Sequence, residues 1–224
     1  MIDGGDTDLA SSAIRNVLHE CCPADLLPRL LDHPDRDGLE ASVYDDAASF
    51  ARKDPATGHD IRNIFLAITS YQAVLHYRIS HWLLHVLGHE GSGVEPRDAE
   101  LYALLVAKRG KLLSGADIHP KCTIGKRFIL DHGYGNVIGE TAVIGDDVYC
   151  NGGVILGSAR IFGNTSAKRH PTLGNNVQIG GLVGIYGPIT IGNDVFIGAR
   201  CTITECIPDG SRVVLKAEHQ VVSP

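Results

Sequence analysis

The sequence predicts an α+β protein in which an N-terminal α-helical domain is followed by a left-handed parallel β-helix. Three observations predict it: an internal repeat of six residues, glycine directly after many repeat positions, and helical periodicity confined to the first half of the chain. A period of six fits neither an α-helix nor a meander of longer strands, whereas a fixed internal period indicates a repeat architecture. The repeat is clearest at Leu173, Ile179, Ile185, Ile191, Ile197 and Ile203.

Each group of six residues is predicted to form one side of a triangular coil, so that three groups complete one turn. Coils stacked at the usual strand spacing of about 4.8 Å would bury the repeating aliphatic side chains along the axis. Gly174 and Gly180 are expected at corners, where a side chain would clash. Left-handed winding departs from the rule that parallel crossover connections are right-handed. We nevertheless predict it, because six consecutive groups of six residues keep one register.

The chain is predicted to divide into a helical domain at 1–113, the β-helix at 114–210 and a C-terminal tail at 211–224. The strongest helix is predicted over 60–87, where apolar residues form one broad stripe. A helical cap would cover the strand edges that one end of the solenoid otherwise exposes. The spacing from Leu156 to Leu173 exceeds two repeats by five residues. A loop over roughly 158–172 is therefore expected to leave the coil, and such loops often carry function.

Composition narrows the possible functions. The net charge of -6 does not favour nucleic acid or an anionic membrane surface as a partner. No apolar run approaches the roughly 20 residues of a membrane span, and the acidic start is unlike a signal peptide. The six cysteines include no C-x-x-C pair. We therefore expect reduced thiols and a cytoplasmic location.

One pair of residues indicates acid–base chemistry. Asp117 and His132 are 15 residues apart, which with a corner would place them on neighbouring coils with side chains leaving the same region. A carboxylate there can orient an imidazole, so His132 is a candidate general base. Arg169 and His170 lie on the expected loop, where positive charge suits a carboxylate ligand. The spacing of His119, His132 and His170 leaves a zinc site open.

Several segments carry a pattern known from other proteins, namely 53–56, 71–82, 117–120, 130–132, 137–148 and 169–171. Together they resemble the bacterial serine O-acetyltransferases, and the resemblance covers roughly residues 45–210. It implies a left-handed β-helix assembled as a homotrimer or a dimer of trimers, with active sites between adjacent subunits. It also implies transfer of an acetyl group from acetyl-CoA to the serine hydroxyl, which feeds cysteine synthesis.

The resemblance assigns roles to particular positions. It implies that His132 is the catalytic base and that Asp117 is its partner. The implied ligands of the amino acid substrate are Asp54, Asp131, Arg169 and His170, and the implied CoA site includes Gly157, Gly181 and Ala199. Backbone N–H groups near Gly157 would stabilise the oxyanion. No metal is expected.

The chain also departs from the family pattern. Residues 156–163 read Leu-Gly-Ser-Ala-Arg-Ile-Phe-Gly where the family has Gly-Gly-Thr-Gly-Lys, the loop is three residues longer, and Lys168 replaces a usual acidic residue. The terminal Ile that docks into the family's sulfhydrylase partner is missing, so that complex is not expected. Three alternatives remain: another hydroxy amino acid as acceptor, a three-histidine zinc hydratase, and a non-catalytic scaffold or regulatory binder.

Overall fold

The computed structural model of this protein describes residues 4–89, 91–163 and 167–217. Helices fill the first half of these residues, and short strands follow. The helices are α1 (Gly4–Cys21), α2 (Leu27–Leu31), α3 (Arg36–Lys53), α4 (Ile61–Ala67), α5 (Thr69–Leu87) and α6 (Pro96–Ser114). No helix of the described part combines the length and the apolar composition that a membrane crossing requires.

The strands form three parallel sheets, which are the three faces of one solenoid. Face A contains β1 (Asp117–Ile118), β4 (Val137–Ile138), β7 (Ile155–Gly157), β10 (Gly184–Tyr186) and β13 (Thr202–Ile203). Face B contains β2 (Thr123–Ile124), β5 (Val143–Ile144), β8 (Thr172–Leu173) and β11 (Thr190–Ile191). Face C contains β3 (Ile129–Leu130), β6 (Tyr149–Cys150), β9 (Gln178–Ile179), β12 (Phe196–Ile197) and β14 (Arg212–Val213). The fold is the predicted left-handed parallel β-helix.

The repeat works as the sequence predicts. Thr172 pairs with Thr190 on the next coil, 18 residues along the chain. The repeating aliphatic side chains are buried along the axis, among them Leu173, Ile179, Ile185, Ile191, Ile197 and Ile203. A Cβ atom on Gly180 would lie 2.6 Å from the backbone nitrogen of Ala199. Glycine is therefore needed at that corner because the next coil passes too close for a side chain.

Two corners of the triangle matter for function, and they lie at opposite ends of face A. At the C–A corner the chain passes from face C to face A, for example over 131–136 between β3 and β4. At the A–B corner it passes from face A to face B, for example over 139–142 between β4 and β5. The loop that leaves the coil follows β7 and returns at β8, so it emerges from the A–B corner.

Two boundaries differ from the predictions. The helix predicted over 60–87 is two helices, since Ile68 is extended (φ -84°, ψ 102°) and ends α4 before α5 begins. The apolar stripe continues through this break without a proline or glycine, so periodicity alone could not reveal it. The predicted tail starts with a strand, because β14 pairs with β12 and continues face C. Residues 218–224 of that tail lie outside the described residues.

One buried ion pair joins the helical cap to the first coil. Arg78 of α5 donates to both carboxylate oxygens of Asp46 on α3, at 2.7 and 3.2 Å. The same guanidinium donates to the carbonyl of Ile124 at 2.6 Å, and Asp46 accepts from the backbone N–H of Phe128 at 2.9 Å. These bonds hold α3, and therefore its C-terminal residue Lys53 and the following Asp54, at a set position on the β-helix.

Candidate active site

His132 lies at the C–A corner, directly after β3. Its backbone is in the left-handed region (φ 60°), and its carbonyl accepts a hydrogen bond from Tyr134 N–H at 2.8 Å. This tight turn directs the imidazole away from the coil, and the side chain is 74% exposed. The ring is thus open to a ligand, as the reaction of a general base requires.

Asp131 lies beside His132 and is held by a tyrosine that the sequence analysis missed. Tyr149 Oη donates to Asp131 Oδ2 at 2.8 Å, and His132 Nε2 is 3.7 Å from the same oxygen. Tyr149 lies on the next coil, where it pairs with Ile129 and not with Asp131. The interval between paired residues is 20 at this coil, so the six-residue repeat does not indicate this contact. The hydrogen bond fixes the carboxylate next to the imidazole.

Asp54 belongs to the same cluster. It follows α3 and caps a short 3-10 turn, accepting from Ala56 N–H at 2.9 Å. The pKa of Tyr149 is raised, first by burial, next by its hydrogen bond to Asp131, and then by the negative charges of Asp131 and Asp54. The charge of Asp54 therefore acts on the tyrosine that bonds Asp131, so Asp54 belongs to the C–A side although it comes from the helical domain.

Asp117 shares this corner but is not bonded to His132. Its two carboxylate oxygens accept from Lys108 Nζ and Lys111 Nζ of α6, each at 2.7 Å. Burial opposes ionisation of Asp117, but the two lysines outweigh it and lower the pKa of the carboxyl group. In a single chain, the expected Asp117–His132 hydrogen bond is replaced by this double ion pair, because α6 passes close enough for both lysines to reach.

Arg169 and His170 lie at the A–B corner and are held there by Thr141. Thr141 Oγ1 accepts from the backbone N–H groups of Arg169 and His170, at 2.9 and 3.1 Å. His170 Nδ1 lies 2.9 Å from that oxygen and accepts from Thr141 N–H at 3.2 Å. The Arg169 guanidinium bonds Glu140. A Cβ atom on Gly139 would overlap the His170 ring, so glycine is required there for this docked position.

Docking of His170 is expected to depend on pH. Burial, and next the charge of Arg169, lower the pKa of His170 below its ordinary value of 6.5. The docked ring takes up a proton less readily than a free ring, so docking is fully favoured above pH 6.5 and weakens as the pH falls below it. Hydrogen exchange corrected for intrinsic rates should show protection of the Arg169 and His170 amides decreasing from pH 7.5 to 5.5.

The Gly145 N–H is a matched control for this prediction, because it donates to the Leu173 carbonyl at 3.0 Å without a titratable partner. Its corrected protection is expected to stay constant. Equal loss of protection at all three amides would mean that the coil as a whole opens, and the prediction would be wrong.

The positions expected to bind CoA are also divided between the two corners. Gly157 ends β7 on the A–B side. Gly181 and Ala199 lie on successive coils at the C–A corner, where Arg200 N–H donates to the Gly181 carbonyl at 2.9 Å. The surface around Gly181 is open, since the nearest atom to an added Cβ would be the Gly152 oxygen at 3.4 Å. A long ligand can therefore approach the backbone there.

Each chain thus carries two half-sites. The first, at the C–A corner, contains Asp54, Asp131, His132 and Tyr149, and the second, at the A–B corner, contains Arg169 and His170. Face A lies between the two half-sites in one chain. Within the described residues, no three His, Cys, Asp or Glu side chains gather in an arrangement that could hold a metal ion.

Comparison with known proteins decides the family. The bacterial transferase hexapeptide family (six repeats) matches residues 170–205. The chain is 38% identical over 177 residues to the serine acetyltransferase of Mycobacterium tuberculosis, which covers 79% of this chain and 70% of that protein. This chain belongs to the serine acetyltransferase family.

Solved structures agree with that assignment. Serine acetyltransferase isoform 3 from Entamoeba histolytica, in complex with cysteine, is similar with a TM-score of 0.76 and 28% identity over 96% of this chain and 84% of that chain. The Neisseria gonorrhoeae serine acetyltransferase in complex with serine is similar with a TM-score of 0.76 and 26% identity, over 93% and 82% of the two chains. The family resemblance read from the sequence is therefore confirmed.

Proposed function

We propose that this protein transfers the acetyl group of acetyl-CoA to the hydroxyl group of serine. The observation that carries the proposal is the first half-site, in which the exposed imidazole of His132 lies next to the Asp131 carboxylate, while the charge of Asp54 acts on the tyrosine that bonds Asp131. Asp54 and Asp131 supply the negative charge that a substrate ammonium group needs, and His132 is near enough to act on a hydroxyl of the same molecule. Membership of the serine acetyltransferase family supports this choice of acceptor.

In the proposed reaction His132 takes the proton of the serine hydroxyl as the oxygen attacks the thioester carbonyl carbon. The carbonyl π electrons move onto oxygen, and backbone N–H groups near Gly157 stabilise that oxyanion. When the tetrahedral intermediate collapses, the carbon–sulfur bond breaks and the CoA thiolate leaves. His132 returns the proton to the thiolate sulfur, so the products are O-acetylserine and CoA. Asp117, by its position in the family, would assist the charged imidazole.

The proposal requires a second chain to complete the site. If three copies turn face A toward a threefold axis, the A–B corner of each copy meets the C–A corner of the next. This heterologous contact closes into a ring. Arg169 and His170 of one protomer would then face Asp54, Asp131 and His132 of its neighbour, and the Arg169 guanidinium would bind the serine carboxylate. The partly exposed Val137 on face A supports a surface that another copy covers.

The same arrangement would bring Gly157 of one protomer close to Gly181 and Ala199 of its neighbour, which supports a CoA site along the subunit boundary.

We place the reaction in cysteine biosynthesis, because O-acetylserine carries the activated carbon that a sulfide donor attacks. The described cysteines are free thiols, which supports a cytoplasmic location. The mass in solution distinguishes a trimer from a dimer of trimers.

The activity is tested by following CoA thiol release from acetyl-CoA with serine, homoserine and threonine as acceptors. We expect serine to give the highest kcat/KM. A higher value with homoserine would assign the enzyme to a different hydroxy amino acid. Thiol release at the rate of spontaneous hydrolysis with every acceptor would overturn the proposal.

Shared sites are tested separately by subunit complementation. His132→Ala and Arg169→Ala chains, each impaired alone, are co-expressed in equal amounts. If every site takes His132 from one chain and Arg169 from its neighbour, about one quarter of the sites contain both native residues. We expect recovery of about 25% of wild-type activity. No recovery above the single variants would show that both residues come from the same chain.

A further inference from the structure

Two lysines of α6 form a double ion pair beside the candidate base. Lys108 and Lys111 are three residues apart, so they project from the same side of the helix. Their ammonium groups take one oxygen each of the Asp117 carboxylate, both at 2.7 Å. Both lysine side chains are about half exposed. The group as a whole carries a charge of about +1 at neutral pH, since two ammonium groups meet one carboxylate.

The same two lysines line a cleft with His132. This cleft has a volume of about 610 Å³, and its other walls include Thr69, Ser114 and Tyr134. Lys108 and Lys111 therefore lie both against Asp117 and in the space that the imidazole faces. Nothing in the repeat pattern shows which residues of a preceding helix reach the first coil, so the sequence alone does not indicate these two lysines.

The charges around His132 come from several elements. The acidic side contains Asp131, which precedes His132, together with Tyr149 of β6 and Asp54 after α3. The other side contains Asp117 of β1 and the two lysines of α6. With the lysines in place, the Asp117 charge is neutralised. Without them, an unpaired carboxylate at the same corner would stabilise the imidazolium form.

We propose that Lys108 and Lys111 are positioning residues for acyl transfer, which hold Asp117 and set how strongly its charge acts on His132. The inference rests on the proposed function, in which His132 must be unprotonated to accept the hydroxyl proton. The lysines balance the Asp117 charge at the cleft that His132 also lines. They touch neither the serine hydroxyl nor the thioester, and they act through Asp117.

The test compares the pH profile of kcat/KM in the wild type and in the Lys108→Met/Lys111→Met variant. Methionine keeps the length of the side chain and is compatible with a helix. We expect the midpoint of the acid limb to move up by about 0.5 to 1 pH unit. At pH values well below this midpoint, kcat/KM divided by its plateau value should then be about three- to tenfold lower in the variant than in the wild type.

Asp117→Asn supplies the opposite charge change. It leaves two unneutralised lysines near His132, so the acid limb should move to lower pH whatever happens to the plateau. The control is Arg97→Met, which removes a positive charge from the first turn of the same helix, where the side chain is 86% exposed. Its profile should match that of the wild type. If the double lysine variant has a lower plateau of kcat/KM but an acid limb at the wild-type pH, the lysines have only a structural role and the proposal is wrong.

A measurement without turnover separates this inference from the proposed function. The titration of the His132 ring is followed by NMR in protein labelled at histidine, and its signal is identified by its absence from His132→Asn. The midpoint should rise in the double lysine variant and fall in Asp117→Asn. If the NMR midpoints shift in this way but the protein does not acetylate serine, the proposed function is wrong and the role of the lysines is retained. Equal midpoints in all three proteins would reject the role of the lysines.

Discussion

His132→Ala is expected to lower kcat for serine acetylation by about 100-fold or more, because the serine hydroxyl then has no positioned general base. The imidazole is exposed at the C–A corner, so the substitution removes little packing and the fold should persist. The measurement is steady-state CoA thiol release with saturating serine and acetyl-CoA. Because the positions proposed to bind CoA, Gly157, Gly181 and Ala199, do not include His132, the KM for acetyl-CoA should change little.

His19→Ala is a matched control, since His19 is an exposed histidine on α1, outside both half-sites. Its kcat should remain within about twofold of the wild type. Wild-type kcat in His132→Ala would remove the imidazole from the mechanism. The carboxylates of the same half-site would then be the remaining candidates for a base.

Asp46→Ala is expected to reduce the free energy of unfolding by about 3 to 5 kcal/mol, because it leaves the Arg78 guanidinium buried without its counter-charge. The Asp46 side chain is almost fully buried, and that of Arg78 nearly so. The backbone N–H of Phe128 loses its acceptor as well. Urea unfolding followed by circular dichroism measures the change, with the wild type and the variant at equal subunit concentration.

The adjacent Asp45 provides the control, because it lies on the same helix and is exposed. Asp45→Ala should change the free energy of unfolding by less than about 0.5 kcal/mol. If both variants unfold alike, the buried pair does not join the cap to the coil. Asp46→Ala should also raise the KM for serine, since α3 positions Asp54 beside Asp131.

Most of the fold could be predicted because it depends on spacing along the chain, and the family could be predicted from the resemblance of several segments. Ile179 and Ile197 are 18 residues apart and stack as neighbours, and any residue in that register meets its counterpart on the next coil. Ile191 was predicted to be a core residue on this basis, and it is buried. The break at Ile68 was missed because an apolar stripe continues on both sides of it.

The candidate site was predictable only in part. His132, Asp131 and Asp54 could be named from a resemblance, and the structure places them together. The Asp117–His132 hydrogen bond was expected from coil spacing alone, but the carboxylate is bonded to Lys108 and Lys111. Thr141 was missed because its bonds to Arg169 and His170 span a loop whose path has no repeat.

Spacing along the chain was therefore enough to define the solenoid and its buried core, since most paired residues in a repeat are separated by a regular interval, and the resemblance of several segments was enough to indicate the family. Three-dimensional packing was needed to show that α6 delivers two lysines to the first coil and that face A separates the two half-sites. Long charged side chains from different elements meet according to how those elements pack, and no interval in the sequence encodes that distance.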